Sequence, residues 1–130
     1  MEERGKLWEC RYTEEAYPSR LRPYGDMPKI LYVRGELPGE EKKTAAIVGA
    51  RDCSRYGAMQ AYQYARKLAE NGIQIISGLA RGVDSFAHKG ALDGGGHTFA
   101  VMGCGGDICY PAQNRQLYEC MKNGRGGILS

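Results

Sequence analysis

The stretch IISGLARGVDSFAHKGAL, residues 75–92, decides the fold. It opens with the uninterrupted apolar character of a buried strand. It then turns glycine-rich and polar through Ser77, Gly78, Arg81 and Gly82. It ends with Val83, Ala87 and Ala91 four residues apart, the spacing of one helix face. A strand that passes through a short glycine-rich turn into a helix is half of a βαβ unit.

The same pattern repeats on both sides. Upstream, TAAIVGA (44–50) is a short apolar run of the type found in strands buried on both faces, and SRYGAMQAYQYARKLAENG (54–72) is helical. Ala58, Tyr62, Ala65 and Leu68 or Ala69 form its apolar stripe, and Gly72 ends it. Downstream, HTFAVMGCG (97–105) predicts a strand, QNRQLYECMKNG (113–124) a helix, and GGILS (126–130) the start of a further strand. Alternation of this kind predicts an α/β domain: a Rossmann-like, doubly wound, mainly parallel sheet with helices on both faces. The Rossmann-like part runs over 44–130 and is expected to be truncated at its C-terminus. A lead segment, 1–43, precedes it, with one expected strand in KILYVRG (29–35).

Composition narrows the function classes. The 130 residues are 42% hydrophobic and 25% charged, as in ordinary soluble globular chains, with a net charge of +3. Nineteen glycines are about twice the usual share, which predicts tight turns and close backbone contacts. The mild positive charge is compatible with a polyanion partner but does not require one. The five cysteines include no C-x-x-C pair and suit free thiols in a reducing cytoplasm. With two histidines and scattered cysteines a metal site is not expected, and no apolar run is long enough to span a membrane.

Open α/β sheets bind ligands at the carboxyl ends of their strands. Three such ends here are glycine-rich and polar: Gly49–Gly57, Ser77–Gly82 and Gly103–Asp107. Glycine lets backbone N–H groups approach an anion, and arginine offers a planar fork to phosphate. Gly49, Ala50, Arg51 and Ser54 can therefore cradle a phosphate; equally, Gly49 can serve only the turn, with Ser54 as helix N-cap and Arg51 solvated. Asp84 is expected to cap its own helix. His88 lies one turn later, where it can bond that carboxylate or meet a ligand. Known nucleotide-enzyme signatures are missing: no G-x-x-x-x-G-K-[ST], no G-x-G-x-x-G and no G-x-S-x-G. The loops grip anions without an evident nucleophile or general base, so no catalytic residue and no cofactor is assigned.

Together these strings resemble the DNA-processing protein A (DprA/Smf) family. The resemblance runs through Tyr17-Pro18 with Leu21, PKILYVRG (28–35), AIVGARDCSRYG (46–57), IISGLARGVDSFAHKGAL (75–92), TFAVMGCGGDICYPAQN (98–114) and the terminal GGILS. It implies a protein that binds single-stranded DNA, protects it and helps load the recombinase RecA in natural transformation and recombination, as a cytoplasmic homodimer without enzymatic turnover. The family's phosphate-binding glycine, small residue and arginine fall on Gly49, Ala50 and Arg51; serine is common where Ala50 stands. Its Ser-Gly-x-Ala-x-Gly-x-Asp-x-x-Ala-His run falls on Ser77, Gly78, Ala80, Gly82, Asp84, Ala87 and His88, and its Tyr-Pro-x-x-Asn run on Tyr110, Pro111 and Asn114. Arg55 and Arg81 add charge near the strand ends, and Tyr56 and Tyr110 are candidate stacking faces. The competing reading is a nucleotide-binding or nucleoside-monophosphate phosphoribohydrolase-like enzyme on a related scaffold. Its P-G-G-x-G-T run is not matched by Gly103–Asp107, which lacks the proline and the threonine.

Overall fold

The computed structural model describes residues 6–103 and 112–130. Six strands form one sheet: β1 (Leu7–Arg11), β2 (Ile30–Gly35), β3 (Thr44–Ala46), β4 (Gln74–Ser77), β5 (Thr98–Val101) and β6 (Gly126–Leu129). Their spatial order is β1-β2-β6-β5-β4-β3. The ladders from β3 to β6 are parallel, and β2 joins β6, and β1 joins β2, antiparallel. The lead segment thus extends the same sheet and contributes two strands. The sequence marked only β2, because LWECR carries no regular alternation, and it is pairing with β2 that makes it a strand.

Among the described residues three α-helices connect the parallel strands: α1 (Arg55–Glu70), α2 (Val83–Asp93) and α3 (Arg115–Cys120). Ser54 starts α1, its hydroxyl accepting from the Gly57 N–H at 3.0 Å. The stripe buried along α1 is Ala58, Ala61, Ala65 and Ala69, while Tyr62 is only half-buried. These small residues allow close packing against α2. A Cβ on Gly90 would stand 2.2 Å from the Tyr62 carbonyl oxygen. The helix expected over 113–124 is shorter than predicted. It follows a 3-10 turn at Ala112–Asn114 and passes into a wider π-type turn over Met121–Arg125.

Residues paired in register share a sheet face. Ile75 packs with Ala65, Ala69, Ala87 and Ala91, and Ala100 and Ile128 pack with Tyr118 and Met121. All three α-helices therefore cover one face. On the other, Phe99, Leu129, Leu31 and Val33 meet Cys10 and Tyr17. The cover there is the lead segment, whose helical part is a single 3-10 turn at Ser19–Leu21. Tyr17 is fully buried and donates its hydroxyl to the Pro28 carbonyl at 2.7 Å. Each large side chain so enclosed contributes about 1.5–3 kcal/mol. Gln74 fastens the linker to β4: its amide oxygen accepts from Gly39 N–H at 2.7 Å, and its NH2 donates to Gly39 O at 3.1 Å.

One expectation is corrected by the sheet order. TAAIVGA does not form a strand buried on both faces. β3 is three residues long, lies at the edge, and leaves Thr44, Ala46 and Val48 exposed. An apolar run reports what a strand can bury, not how many neighbours the fold supplies.

Candidate nucleic-acid interface

The carboxyl ends of β3 and β4 open towards the start of α2, and the loops there are built from the residues singled out in the sequence. The loop after β4 is held from four sides. Ser77 is buried and donates its hydroxyl to the Ile47 carbonyl at 2.6 Å, joining the two strand ends. The Gly78 N–H donates to Asp84 Oδ2 at 3.0 Å. The Leu79 N–H donates to His88 Nε2 at 3.1 Å. The Asn114 amide donates to the carbonyls of Leu79 at 2.9 Å and Ala80 at 3.2 Å.

This bracing fixes an unusual backbone. Leu79 has φ +58°, a left-handed conformation that costs a branched-chain residue about 1–2 kcal/mol. Its N–H and C=O are both hydrogen-bonded to buried side chains, and its own side chain is fully buried with Ala100 and Met102. Gly82 follows at φ +76°, with its Cα so close to the neighbouring loop that a Cβ would stand 2.3 Å from the Ala50 oxygen and 2.4 Å from the Arg51 oxygen. The loops after β3 and β4 are thus in contact, and the Val83 N–H donates to the Ala50 carbonyl at 3.2 Å.

His88 is fully buried. Accepting from Leu79 leaves Nε2 without a proton, so Nδ1 carries it and donates to Thr98 Oγ1 at 2.7 Å. Thr98 passes its own proton to the Ile75 carbonyl at 2.9 Å. Burial pushes the imidazole pKa down to about 3, so the ring is neutral near pH 7.

Two sequence expectations change here. Asp84 does not cap its own helix: Gly82 is the N-cap, and no side chain caps α2. The carboxylate turns back to the strand ends instead, accepting from Gly49 N–H at 3.3 Å and Gly78 N–H at 3.0 Å. His88, one turn later, bonds neither that carboxylate nor an exposed ligand position; its partners are Leu79 and Thr98. Thr98 and Leu79 are members of this network that sequence reading missed. A threonine in a strand and a leucine in a loop carry no signal of such roles.

The cations stand outside this frame. Arg51, Arg55 and Arg81 are exposed, and none makes an ion pair among the described residues. Tyr56 is 73% exposed beside them on the first turn of α1. The predicted residues therefore separate into two groups. Ser77, Gly78, Gly82, Asp84, His88 and Asn114 are scaffold, with Gly49 tied to them through Asp84. Arg51, Arg55 and Arg81 stand exposed as a cationic rim, while the Ala50 carbonyl accepts from the Val83 N–H and Ser54 caps α1. Beyond Gly103, the third strand-end loop and Tyr110 with Pro111 lie outside the described residues. No metal-binding group of three or more His, Cys, Asp or Glu occurs among the described residues. No helix among them is long and apolar enough to cross a membrane.

A mainly parallel Rossmann-like sheet with exposed arginines beside braced strand-end loops defines the class: a Rossmann-like α/β protein. Comparison with known proteins then gives the family. The model of the DNA recombination-mediator protein A family matches residues 9–130, and the chain belongs to that family. The DNA processing protein DprA of Streptococcus pneumoniae is 39% identical over 110 residues, covering 85% of this chain and 39% of the relative. Protein Smf of Escherichia coli is 37% identical over 116 residues, covering 89% and 31%. The X-ray structure of the Streptococcus pneumoniae DprA superposes with a TM-score of 0.81 at 35% identity, over 96% of this chain and 44% of that one. DNA processing protein A of Helicobacter pylori, solved for its single-stranded DNA binding mode, gives 0.77 at 31% identity, over 97% and 55%. The chain spans about two fifths or less of these curated relatives' length.

Proposed function

We propose that this chain forms part of a single-stranded DNA-binding recombination mediator, with Arg51, Arg55 and Arg81 meeting the phosphates. The observation that carries the reading is the separation of roles at the strand ends. Ser77, Asp84, His88 and Asn114 beneath the rim are engaged within the fold, while the three arginines above it are exposed and unpaired among the described residues. Single-strand binding without sequence preference needs cations along the backbone and a face for stacking; Tyr56 is the described aromatic best exposed for it. The Gly49, Ala50, Ser54, Ser77, Gly78, Gly82 and Asn114 positions then act mainly by shaping the loops. Protection of DNA, delivery to RecA in natural transformation, a homodimeric state and a cytoplasmic setting belong to the same proposal, for a chain of the relatives' full length. So does the division into a lead segment, 1–43, and a Rossmann-like part from 44.

The test is oligothymidine binding at two or more salt concentrations. Arg51→Ala is expected to weaken binding and to reduce the slope of log K against log salt by about 0.7, the value for one phosphate contact on a single strand. Unchanged affinity and slope in a variant that still binds DNA would remove Arg51 from the interface. Release of free base from nucleoside monophosphates would instead favour the phosphoribohydrolase-like alternative.

A further inference from the structure

We infer that the Asp84 carboxylate is an internal stand-in for a phosphate and closes the strand-end crevice to mononucleotides. The inference goes beyond DNA binding and does not depend on it, since it concerns the crevice beneath the arginine rim.

In open α/β sheets, backbone N–H groups at the carboxyl ends of adjacent strands, together with a helix start, receive the phosphate of a bound nucleotide. Here the N–H groups of Gly49, three residues beyond β3, and Gly78, directly after β4, converge on one side chain, at 3.3 Å and 3.0 Å from the two oxygens of Asp84. Asp84 is 6% exposed. The start of α2 is tied to the same loop: the Val83 N–H donates to the Ala50 carbonyl, and a Cβ on Gly49 would lie 2.9 Å from the Val83 side chain. A Cβ on Gly78 would come within 2.7 Å of Asp84 Oδ2, so glycine at that strand end makes room for this protein's own carboxylate.

The consequence is a choice between ligand classes. An incoming phosphate finds both amides taken and a negative charge in their place, and like charges repel most strongly where water is excluded. A mononucleotide, whose grip depends on one phosphate in the crevice, is rejected. A polynucleotide loses nothing, because its successive phosphates can be met one by one at the exposed rim by arginines.

The experiment follows the Gly49 and Gly78 amide resonances and the thermal midpoint of the wild type, Asp84→Ala and Asp84→Ser, titrated with inorganic phosphate, adenosine monophosphate, formate and chloride. In the wild type neither amide is expected to respond to phosphate or to adenosine monophosphate. In the variants both amides shift on addition of phosphate and of adenosine monophosphate, at concentrations at least about tenfold below any that move them in the wild type, and phosphate raises the midpoint where chloride does not. If Asp84→Ala is unfolded in chloride, phosphate restores its circular dichroism. A phosphate response of the wild-type amides overturns the inference. So does a response to formate without one to phosphate, which would mark Asp84 as a structural carboxylate only, and so does phosphate silence in both variants. Oligothymidine binding by the wild type is scored separately, so failure of the DNA reading leaves these outcomes unaffected.

Discussion

His88 shows how much one side chain can organise. It is neutral, enclosed, and bonded through both ring nitrogens, which forces a single tautomer. Its pKa, pushed down to about 3 against about 6.5 in an unfolded chain, makes stability depend on pH. Between these values the unfolded chain binds the extra proton and the native chain does not. The contribution is therefore complete above about pH 6.5 and is lost as the pH falls towards 3. The expected slope is up to about 1.4 kcal/mol per pH unit across that window. Urea unfolding of the wild type and of His88→Gln at several acidic pH values checks this: the variant should be less stable near neutrality but lose less on acidification. Equal slopes would mean that another group controls the acid sensitivity. The sequence marked His88 as worth attention, yet suggested Asp84 as its partner. Spacing along a helix reports which side chains share a face, whereas Thr98 and the Leu79 amide reach His88 from elements that only the fold brings near.

At the scale of elements, the pairing of α1 with α2 depends on small residues. Gly90 faces the Tyr62 backbone so closely that alanine there must push the helices apart. Gly90→Ala is expected to destabilise the protein by about 1–3 kcal/mol, the range for overpacking, despite alanine's higher helix propensity. Gly25→Ala, with nothing within 4 Å of the added methyl, serves as the control and should be near neutral. Thermal or denaturant unfolding of the two variants decides it; equal stabilities would show that the helix contact yields without cost. Most elements were legible before any coordinates, since apolar runs, the alanine stripe of α1 and the Ser54 cap are local features. β1 was not, because LWECR is a strand only by virtue of β2 beside it. The extent of α3 was not either, since its tail turns where Asn123 and Gly124 leave helical geometry.

For the whole molecule, the sheet keeps two edges, β1 and β3. β3 is an edge strand, and Val48, two residues beyond it, is 69% exposed. Unpaired strand edges with apolar neighbours invite association between chains. Light scattering should show self-association growing with concentration, and Val48→Lys should reduce it without shifting the thermal midpoint. If the variant associates as before, the edge is not responsible.

The sequence by itself determined the α/β class, the order of strands and helices from residue 29 onward, and the clustering of glycines and arginines at strand ends. These follow from periodicity and from the backbone demands of turns, which act over a few residues. Only the tertiary structure decided that Asp84 serves two strand ends rather than its own helix, that β3 stands at an edge, and that the conspicuous polar residues divide into buried braces and an exposed rim. The reason is physical: a buried polar group must find a partner wherever the fold offers one. The partners of Asp84, 35 and 6 residues away along the chain, become neighbours only once the sheet has formed.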